Sequence, residues 1–495
     1  MTGDNTITKQ AVLLIGGLDP QGAAGLTADI QTVSQLGLHP VPLVTCLTEQ
    51  TSQGLISLNA LSADDFTEQL KCCVADFEIA AIKIGLLPNH EIVAVIAKWL
   101  SGKSIPVVLD PVLTASSGGH GVNEQVIDAI SKQLLPLVTL LTPNKPELIK
   151  LSGETSDQVA VYKLSNSGLA ACLVKGGHDS EESCSDFFQD KDEQFYITTD
   201  RYEYVVRGTG CVLASAIASH LALGHSLRDA TVLGRTYLNQ SYQNAKVIGP
   251  YHVLSHQPLQ LSRNLLPRID MSVAGIHQTA IKFPNCPELG IYPVVDSAEW
   301  VEKCLKTGIR TVQLRVKSED QTLITAQIQR AVSIAHKYPE SRLFINDHWQ
   351  AAIQAGAYGV HLGQEDLHEA DITEIAKADI RLGVSTHSYW ELARALTINP
   401  SYLALGPVYA TDSKQMPWQP QGHQRVREWL TIVEDIPLVA IGGIDVPRAE
   451  SIKTTGVGSV AMISAITKAD DYETVCRDLL NLWPEEVNLS LQNAV

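Results

Sequence analysis

One stretch in the second half of the chain joins a short apolar segment to two acids: Gly359-Val360-His361-Leu362-Gly363-Gln364-Glu365-Asp366. Residues 359–362 predict a buried strand, and Gly363 ends it. Acids that follow a buried strand are costly unless they are solvated or paired. Glu365 and Asp366 therefore either lie in a solvated loop or hold a metal ion or a substrate.

The same strand is one of eight apolar segments that alternate with helical patterns after residue 290. The predicted strands are 290–295, 311–314, 343–345, 359–362, 381–384, 402–405, 438–441 and 459–462. Eight strand–helix units are typical of a (β/α)₈ TIM barrel, whose active site lies at the carboxyl ends of the strands. The residues at those ends therefore decide the function of this half.

Polar and charged residues collect at these strand ends. Asp347 and Asp366 follow neighbouring strands, and their oxygen ligands suit a Mg²⁺ ion that also binds substrate phosphate. Arg315, Lys317 and Lys414 supply cations for more than one phosphate, which indicates a diphosphate. The other candidates at these ends are Gln313, Asn346, His361, Ser385, Thr411, Ser413, Gly443, Ile463 and Ser464.

Each of these residues also has a purely structural interpretation. Asp366 is suited to capping the next helix, and a histidine on a barrel strand is often a packed, hydrogen-bonded residue. An arginine or lysine after a strand is often only solvated. The grouping of all of them at one rim favours the functional interpretation.

The first half alternates β-branched segments with helical patterns, which predicts a mostly parallel, doubly wound sheet covered by helices. The predicted strands are 11–17, 42–47, 81–85, 106–111, 140–143 and 173–176, with weaker candidates at 186–188 and 202–206. Prolines interrupt the pattern later, with a short helix expected near residues 259–266. We therefore expect domains at 1–254 and 290–495, joined by a linker at 255–289.

The first half carries a candidate phosphate site at Arg207-Gly208-Thr209-Gly210-Cys211, just before a long apolar helix. Glycines at a helix N-terminus expose N–H groups that suit a phosphoryl group. Cys211 is expected either to have a depressed pKa and act as base or polar contact, or to be a small buried residue.

Two further segments of the first half are candidates for nucleotide or Mg²⁺ contacts. Asn144 and Glu147 are one helical turn apart, so they either face a Mg²⁺-linked water shell or form a helix cap. Lys175 ends a strand and is a candidate for nucleotide phosphates. A P-loop motif is absent from the sequence.

Composition narrows the class of protein. The net charge is −17 and the pI about 5.3, which argues against a nucleic-acid or anionic-membrane surface. The sequence shows neither a secretory signal nor an apolar run of membrane-spanning length. The nine cysteines include no C-x-x-C pair, which favours reduced thiols and a cytoplasmic location.

The rim motifs of the second half resemble thiamine-phosphate synthase over about residues 290–482. The resemblance implies a Mg²⁺-dependent joining of hydroxymethylpyrimidine diphosphate to a thiazole phosphate. It implies that Asp347 and Asp366 bind Mg²⁺ and that Gln313 and His361 face the pyrimidine. The diphosphate would be held and neutralised by Arg315, Lys317, Asn346, Ser385 and Lys414, and the thiazole phosphate by Thr411, Ser413, Gly443, Ile463 and Ser464. Ser413 stands where the family usually has threonine.

The motifs of the first half resemble hydroxymethylpyrimidine and hydroxymethylpyrimidine-phosphate kinase, of the ribokinase superfamily, over about residues 11–245. The segments that carry the resemblance are 15–20, 25, 28–29, 83–85, 109–112, 142–147, 175–178 and 207–211. It implies that Asp29 and Gln50 hold the pyrimidine. Gly208, Gly210 and Cys211 would form the anion hole and the catalytic position. Arg207 departs from the family, which usually has histidine there.

Together the resemblances imply a bifunctional enzyme of thiamine biosynthesis, because the product of the kinase is the substrate of the synthase. They imply ATP as phosphoryl donor, Mg²⁺ and small-molecule substrates, with no nucleic-acid or membrane partner. The helix-rich first half is a candidate for homodimer formation. Two alternatives stay open: a barrel that acts as a thiazole tautomerase, and a first half that only binds the pyrimidine or phosphorylates only its monophosphate.

Overall fold

The computed structural model describes residues 10–51, 54–113, 122–176, 183–202, 204–271, 281–411 and 418–483. The chain divides into two compact units, Met1–His277 and Gln278–Val495. No helix within the described ranges is long and apolar enough to span a membrane.

The first unit is built on a ten-stranded sheet of order β13-β9-β8-β7-β6-β5-β4-β1-β2-β3, beside a small sheet of order β10-β12-β11. Its strands are β1 Ala11–Leu18, β2 His39–Thr51, β3 Gly54–Ala60, β4 Ile79–Ile84, β5 Val107–Leu109, β6 Leu140–Leu141, β7 Cys172–Val174, β8 Ser183–Gln189, β9 Gln194–Asp200, β10 Val206–Arg207, β11 Lys246–Ile248, β12 Tyr251–Val253 and β13 Arg268–Asp270. The central strands β2, β1, β4, β5, β6 and β7 are parallel, and antiparallel strands extend both edges.

The helices of this unit are α1 Gly25–Gln35, α2 Ala63–Asp76, α3 His90–Leu100, α4 Glu124–Ala129, α5 Lys145–Ser152, α6 Asp157–Asn166, α7 Thr209–Ala222 and α8 Leu227–Gln243. A π-helical turn, Ile130–Leu134, and a 3₁₀ turn, Leu135–Leu137, continue α4. The helix α7 is apolar on nearly every side, and most of its residues are buried. It can therefore hold its N-terminal turn in a fixed position against the sheet.

Several elements of the first unit differ from the sequence-based expectation. The predicted helix near residues 259–266 is absent, and Arg268–Asp270 pairs antiparallel with β9, so part of the expected linker belongs to the first sheet. The strand expected at 202–206 is reduced to Val206–Arg207, while β3 and β9 were not expected. β3 and β13 are the edge strands of the large sheet and β10 is an edge strand of the small one, and β9 lies next to β13. Strands near a sheet edge have weaker alternation and give little sequence signal.

The second unit is a closed barrel in which the eight predicted strands follow one another around the ring. The strands are β14 Gly290–Val295, β15 Thr311–Leu314, β16 Arg342–Asn346, β17 Gly359–Leu362, β18 Arg381–Thr386, β19 Tyr402–Leu405, β20 Leu438–Ile441 and β21 Ser459–Met462. The helices are α9 Ala298–Lys306, α10 Gln321–Ala335, α11 Trp349–Ala355, α12 Asp366–Glu369, α13 Ile372–Lys377, α14 Tyr389–Ile398, α15 Gly422–Val433, α16 Val446–Lys453, α17 Ser464–Thr467 and α18 Tyr472–Leu482. The prediction of a TIM barrel is confirmed.

Two strand glycines make room for aromatic rings in the barrel interior. Gly359 is the register partner of Phe344, and a Cβ on Gly359 would lie 2.5 Å from the Phe344 Cε1 atom. Gly383 is likewise the partner of Tyr402, and a Cβ there would lie 2.1 Å from the Tyr402 Cζ atom. Each ring therefore fills the space that a side chain on the neighbouring strand would take.

We predict that Gly383→Ala destabilises the barrel by about 1–3 kcal/mol, because the added methyl overpacks the Tyr402 ring. The measurement is the urea midpoint followed by tryptophan fluorescence, which reports mainly the barrel because only Trp99 of the seven tryptophans precedes it. The matched control is Gly383→Ala in a Tyr402→Leu background, where the loss should be much smaller. Equal losses in both backgrounds would contradict this explanation.

Candidate functional sites

The carboxyl ends of the parallel strands in the first unit open into a cavity of about 1270 Å³. Gly17, Gly85, Asp110, Asn144 and Lys175 line it from β1, β4, β5, β6 and β7, at or just after the ends of these strands. The first turn of α7 and the side chain of Gln50 also line it. In open α/β sheets this edge is where ligands bind.

The N-terminus of α7 is closely packed at two glycines, Gly208 and Gly210. Gly208 has a φ of 82°, and a Cβ there would lie 2.1 Å from the Ala23 carbonyl oxygen. A Cβ on Gly210 would lie 3.1 Å from Lys175 Nζ and 3.2 Å from Asp110 Oδ2. The helix N-terminus thus brings its free N–H groups beside a cation, as the sequence predicted for an anion site.

Cys211 lies in the first turn of α7, but its thiol differs from the expectation of a depressed pKa. Burial raises the pKa of Cys211 to about 11, although the nearby Lys83 acts in the opposite direction. Of the two alternatives for Cys211, the depressed pKa is wrong, because the cost of burying a thiolate outweighs the effect of the helix N-terminus. At neutral pH Cys211 is a neutral thiol and therefore suits a polar contact.

Behind the anion site lies a buried ion pair between Lys175 and Asp110, with 2.6 Å between Lys175 Nζ and Asp110 Oδ1. Asn144 and Glu147 form a capping box at the start of α5, in which each side chain accepts a hydrogen bond from the other's backbone N–H at 2.9 Å. Burial raises the pKa of Glu147, and Lys175 opposes that rise. The cap that the sequence left as an alternative for Asn144 and Glu147 is therefore present, and both residues line the cavity.

A second buried ion pair lies deeper, where Lys83 Nζ is 2.7 Å from Asp29 Oδ2 and both side chains are almost fully buried. Ser215 donates to the other oxygen of Asp29 at 2.7 Å. Although burial alone would lower the pKa of Lys83, the adjacent Asp29 raises it, so the lysine stays charged. Both oxygens of Asp29 thus have protein partners, and its direct contact with a substrate stays a prediction. Lys83 and Asp110 lie in the segments 83–85 and 109–112 that carry the family resemblance, but neither was predicted as a site residue.

Arg207 connects two segments at the mouth of the cavity. Its guanidinium donates to Gln21 Oε1 at 2.9 Å and to Gln50 Oε1 at 2.5 Å. Gln21 belongs to the loop after β1, and Gln50 lies near the end of β2. Gln50 thus accepts from Arg207 through its oxygen and donates to Thr48 Oγ1 at 3.4 Å through its nitrogen, which fixes the orientation of its amide group.

In the barrel, the strand register places several predicted residues at one level. Asn346 pairs with His361, His361 with Gly383, and Gly383 with Tyr402. Side chains of directly paired residues point to the same face of a sheet, and Asn346, His361 and Tyr402 are all buried. The gap at Gly383 lets Tyr402 reach His361, with 2.7 Å between the Tyr402 hydroxyl and His361 Nδ1.

These contacts continue into a chain of hydrogen bonds across the barrel. Gln313 Nε2 donates to the Tyr292 hydroxyl at 3.2 Å. The Tyr292 hydroxyl in turn lies 2.8 Å from the Tyr402 hydroxyl. At the other end, His361 Nε2 is 2.8 Å from Ser385 Oγ. The structure therefore brings Gln313, His361 and Ser385 together as predicted, through two tyrosines that the sequence analysis missed. Their only sequence signal was the glycine at position 383 within an apolar strand.

The two predicted metal ligands follow adjacent strands, β16 and β17. Asp347 has a left-handed backbone with a φ of 62°, and its N–H donates to the His361 carbonyl at 3.0 Å. Asp366 accepts from the Gly363 N–H at 2.9 Å through Oδ2, while Glu365 is exposed. Among the residues described, no group of three or more metal-ligating acids, histidines or cysteines occurs. Two carboxylates with hard oxygen atoms fit a Mg²⁺ ion that keeps several waters and binds substrate oxygens.

The other predicted site residues of the barrel follow the carboxyl ends of further strands. Arg315 and Lys317 follow β15, and the Arg315 N–H donates to the Val295 carbonyl at 2.7 Å. Gly443, with a φ of 67°, lies so close to the preceding loop that a Cβ would be 2.5 Å from the Ala410 carbonyl oxygen. Thr411 precedes the undescribed segment, and Ile463 and Ser464 follow β21. Ser413 and Lys414 lie outside the described residues.

Comparison with known proteins divides the chain in the same way. Residues 19–256 match the family model for phosphomethylpyrimidine kinase, and residues 291–466 match the model for thiamine monophosphate synthase. The chain is 49% identical over 201 residues to thiamine-phosphate synthases of Yersinia pestis (strain Pestoides F) and Salmonella schwarzengrund (strain CVM19633). These alignments cover 40% of this chain and 93% and 95% of the two relatives.

Solved structures similar to the first unit include two kinases. A Clostridium difficile phosphomethylpyrimidine kinase has a TM-score of 0.41 and 29% identity, covering 46% of this chain and 98% of its own. A Staphylococcus aureus pyridoxal kinase, in complex with AMP-PCP, has a TM-score of 0.48 and 24% identity, covering 53% of this chain and 98% of its own.

The raised pKa of Cys211 predicts slow alkylation at neutral pH. Because only the thiolate reacts, the rate for iodoacetamide should rise about tenfold per pH unit and still be rising between pH 9 and pH 10. Peptide mass spectrometry of the folded protein measures this rate, with the exposed Cys72 as the internal control for the reagent. A rate that levels off by pH 8 would restore the original expectation of a depressed pKa.

Proposed function

Because this chain belongs to the thiamine-phosphate synthase family and carries a phosphomethylpyrimidine kinase domain ahead of the barrel, we propose that it makes the synthase's substrate in its first half and consumes it in its second. The first half transfers phosphoryl groups from ATP to hydroxymethylpyrimidine and then to its monophosphate. The barrel joins the resulting diphosphate to a thiazole phosphate. The convergence of Gln313, His361 and Ser385 in one hydrogen-bonded chain at the rim is the observation that supports this most strongly.

In the kinase half, the proposed phosphoryl site is the first turn of α7. The N–H groups from Gly208 to Cys211 stabilise the charge on the transferring group, and Lys175 adds a cation beside Gly210. Asp110 holds that lysine in place. Asn144 and Glu147, through their capping box, hold the start of α5 against the nucleotide and Mg²⁺ side of the cavity.

The pyrimidine is proposed to lie near Gln50 and above the pair of Asp29 and Lys83. The Arg207 guanidinium fixes the oxygen of Gln50 and Thr48 accepts from its nitrogen, so the second amide hydrogen can donate to a ring nitrogen, which is a hydrogen-bond acceptor. Cys211 supplies a neutral polar contact. This arrangement needs no thiolate base.

In the barrel, Asp347 and Asp366 are proposed to hold Mg²⁺, which would neutralise part of the diphosphate charge. Arg315, Lys317 and Asn346 would bind the same group, together with Ser385 and Lys414. The bond between the pyrimidine methylene carbon and the diphosphate oxygen breaks with its electron pair leaving on oxygen. The thiazole nitrogen then forms the new bond to the methylene carbon. Its phosphate is proposed to be held by Thr411, Ser413, Gly443, Ile463 and Ser464.

The thiazole-tautomerase alternative is not favoured, since the barrel is 49% identical to thiamine-phosphate synthases over nearly their whole length. The alternative of a first half that merely binds a pyrimidine is not favoured by the kinase family match over residues 19–256.

A single-pot assay tests the function and the metal site together. With hydroxymethylpyrimidine, ATP, Mg²⁺ and thiazole phosphate, the wild-type chain should form thiamine phosphate. Asp366→Asn should reduce coupling at least about 100-fold, because it removes a proposed Mg²⁺ ligand charge. Its amide oxygen can still accept from the Gly363 N–H, so the turn should stay folded.

The controls are internal to the same assay. ATP-dependent phosphorylation of the pyrimidine should be unchanged in Asp366→Asn, and Glu365→Gln, one residue away but exposed, should retain coupling. The absence of thiamine phosphate with folded wild-type protein would refute the joint function. If Asp366→Asn and Glu365→Gln changed coupling equally, the metal role of Asp366 would be refuted, but the joint function would not.

Substitution of Arg207 should affect only the kinase half. Arg207→Lys should raise the KM for hydroxymethylpyrimidine about tenfold, because a lysine cannot make the forked contact to Gln21 and Gln50. Thiamine phosphate formation from supplied pyrimidine diphosphate serves as the control and should be unchanged. An unaltered KM in both Arg207→Lys and Arg207→Ala would contradict the positioning role.

A further inference from the structure

We propose that a one-way chain of hydrogen bonds inside the barrel fixes the tautomer of His361 and turns the Ser385 hydroxyl into a donor toward the substrate. The chain runs through Gln313, Tyr292, Tyr402, His361 and Ser385. The assignment of the tautomer rests on these contacts alone. The statement that Ser385 donates to the diphosphate rests on the proposed function of the barrel.

The direction of the chain is set at Gln313. Its amide nitrogen can only donate, so the Tyr292 oxygen accepts at 3.2 Å. The Tyr292 hydrogen then points to the Tyr402 oxygen at 2.8 Å. In the opposite direction, the Tyr292 hydrogen would be buried without an acceptor among the described residues, which is unfavourable. Burial raises the pKa of both tyrosines, so each keeps its hydrogen at neutral pH.

Because the Tyr402 oxygen accepts from Tyr292, the Tyr402 hydroxyl donates to its other partner, His361. The hydroxyl hydrogen points to His361 Nδ1 at 2.7 Å, so this nitrogen must carry a lone pair. The neutral ring therefore holds its proton on Nε2 and donates it to Ser385 Oγ at 2.8 Å. Because the Ser385 oxygen accepts, its hydrogen is directed elsewhere.

The position of Ser385 leaves its hydroxyl hydrogen available to a ligand at the rim. Gln313, Tyr292, Tyr402 and His361 are buried, whereas Ser385 is only partly buried at the carboxyl end of β18. A hydroxyl donor at the rim suits an anionic group such as a diphosphate. With the other tautomer, the Ser385 hydrogen would be drawn back toward His361, and oxygen lone pairs would face the anion.

The hydrogen bond between Tyr402 and His361 depends on the missing side chain at Gly383. Gly383 lies between His361 and Tyr402 in the register, and its Cβ would lie within 2.4 Å of the Tyr402 hydroxyl oxygen. Tyr292 and Tyr402 are thus positioning residues, which act on the substrate through His361 and Ser385.

The tautomer of His361 can be measured directly in the full-length protein. Long-range ¹H–¹⁵N spectra at pH 8 distinguish the two ring nitrogens after histidine-selective ¹⁵N labelling, and the His361 signals are those lost in His361→Gln. Wild-type protein should show a protonated Nε2 and an unprotonated Nδ1. A proton on Nδ1 would overturn the proposal, whatever the enzyme's activity.

Tyr402→Phe tests whether the chain sets that state. Both tautomers should become populated, so the two nitrogen shifts move toward each other. The kcat/KM for the pyrimidine diphosphate should fall about tenfold, with the KM for the thiazole phosphate unchanged. If the two His361 ¹⁵N chemical shifts in Tyr402→Phe stayed as in the wild type, the proposal would be overturned.

Two further variants complete the test. Tyr472→Phe removes a distant, partly exposed hydroxyl and should change neither the shifts nor the kinetics. If Tyr402→Phe does not fold, Tyr292→Phe leaves the contact between Tyr402 and His361 in place but removes its direction, so mixed tautomers are expected again. A pure Nε2–H signal in a folded Tyr292→Phe protein would overturn the proposal. If the wild-type protein showed the expected His361 tautomer but formed no thiamine phosphate, the function proposed for the barrel would be refuted instead.

Discussion

The rim of the barrel depends on a steric constraint, the missing side chain at Gly383. The Tyr402 ring lies where a Cβ on that residue would be, and only from there does its hydroxyl reach His361. A methyl group at this position would separate a hydrogen-bonded pair as well as overpack a core. The same glycine therefore contributes to both the packing of the barrel and the polarity of its site. This coupling explains why a glycine, which weakens a strand, stands in the middle of a buried one.

The two halves hold their polar groups in different ways. The first unit uses buried ion pairs, Lys83 with Asp29 and Lys175 with Asp110, each with 2.7 Å or less between the charged atoms. Removing one partner would leave an uncompensated buried charge, so these pairs keep their geometry. The barrel interior uses neutral groups, whose order is fixed by the direction of hydrogen bonds.

Much of this arrangement could be predicted from local sequence, because strand–helix alternation and strand-end chemistry are local properties. All eight barrel strands were expected, and so were Asp347, Asp366 and His361 at the rim. Tyr292 and Tyr402 were missed because their role depends on register between strands, which a single sequence does not display. The sequence left the pKa of Cys211 open between a depressed value and that of a buried residue, because its burial comes from tertiary packing. Asn144 and Glu147 were recognised, but the choice between cap and metal contact needed the hydrogen bonds of α5.

The acids at positions 365 and 366 show how backbone direction separates two similar neighbours. Asp366 opens α12 and turns its carboxylate back to the Gly363 N–H, which places it near the end of β17 and opposite the end of β16. Glu365 precedes that helix and is exposed. Asp347 faces the same rim through a left-handed backbone, a conformation that aspartate tolerates better than most residues. The two acids thus follow adjacent barrel strands, Asp347 after β16 and Asp366 after β17, and each lies in a turn held by a backbone N–H contact. A cation shared by these two acids stays our proposal, since carboxylates that follow neighbouring strands of a barrel are suited to a Mg²⁺ ion that also binds substrate oxygens.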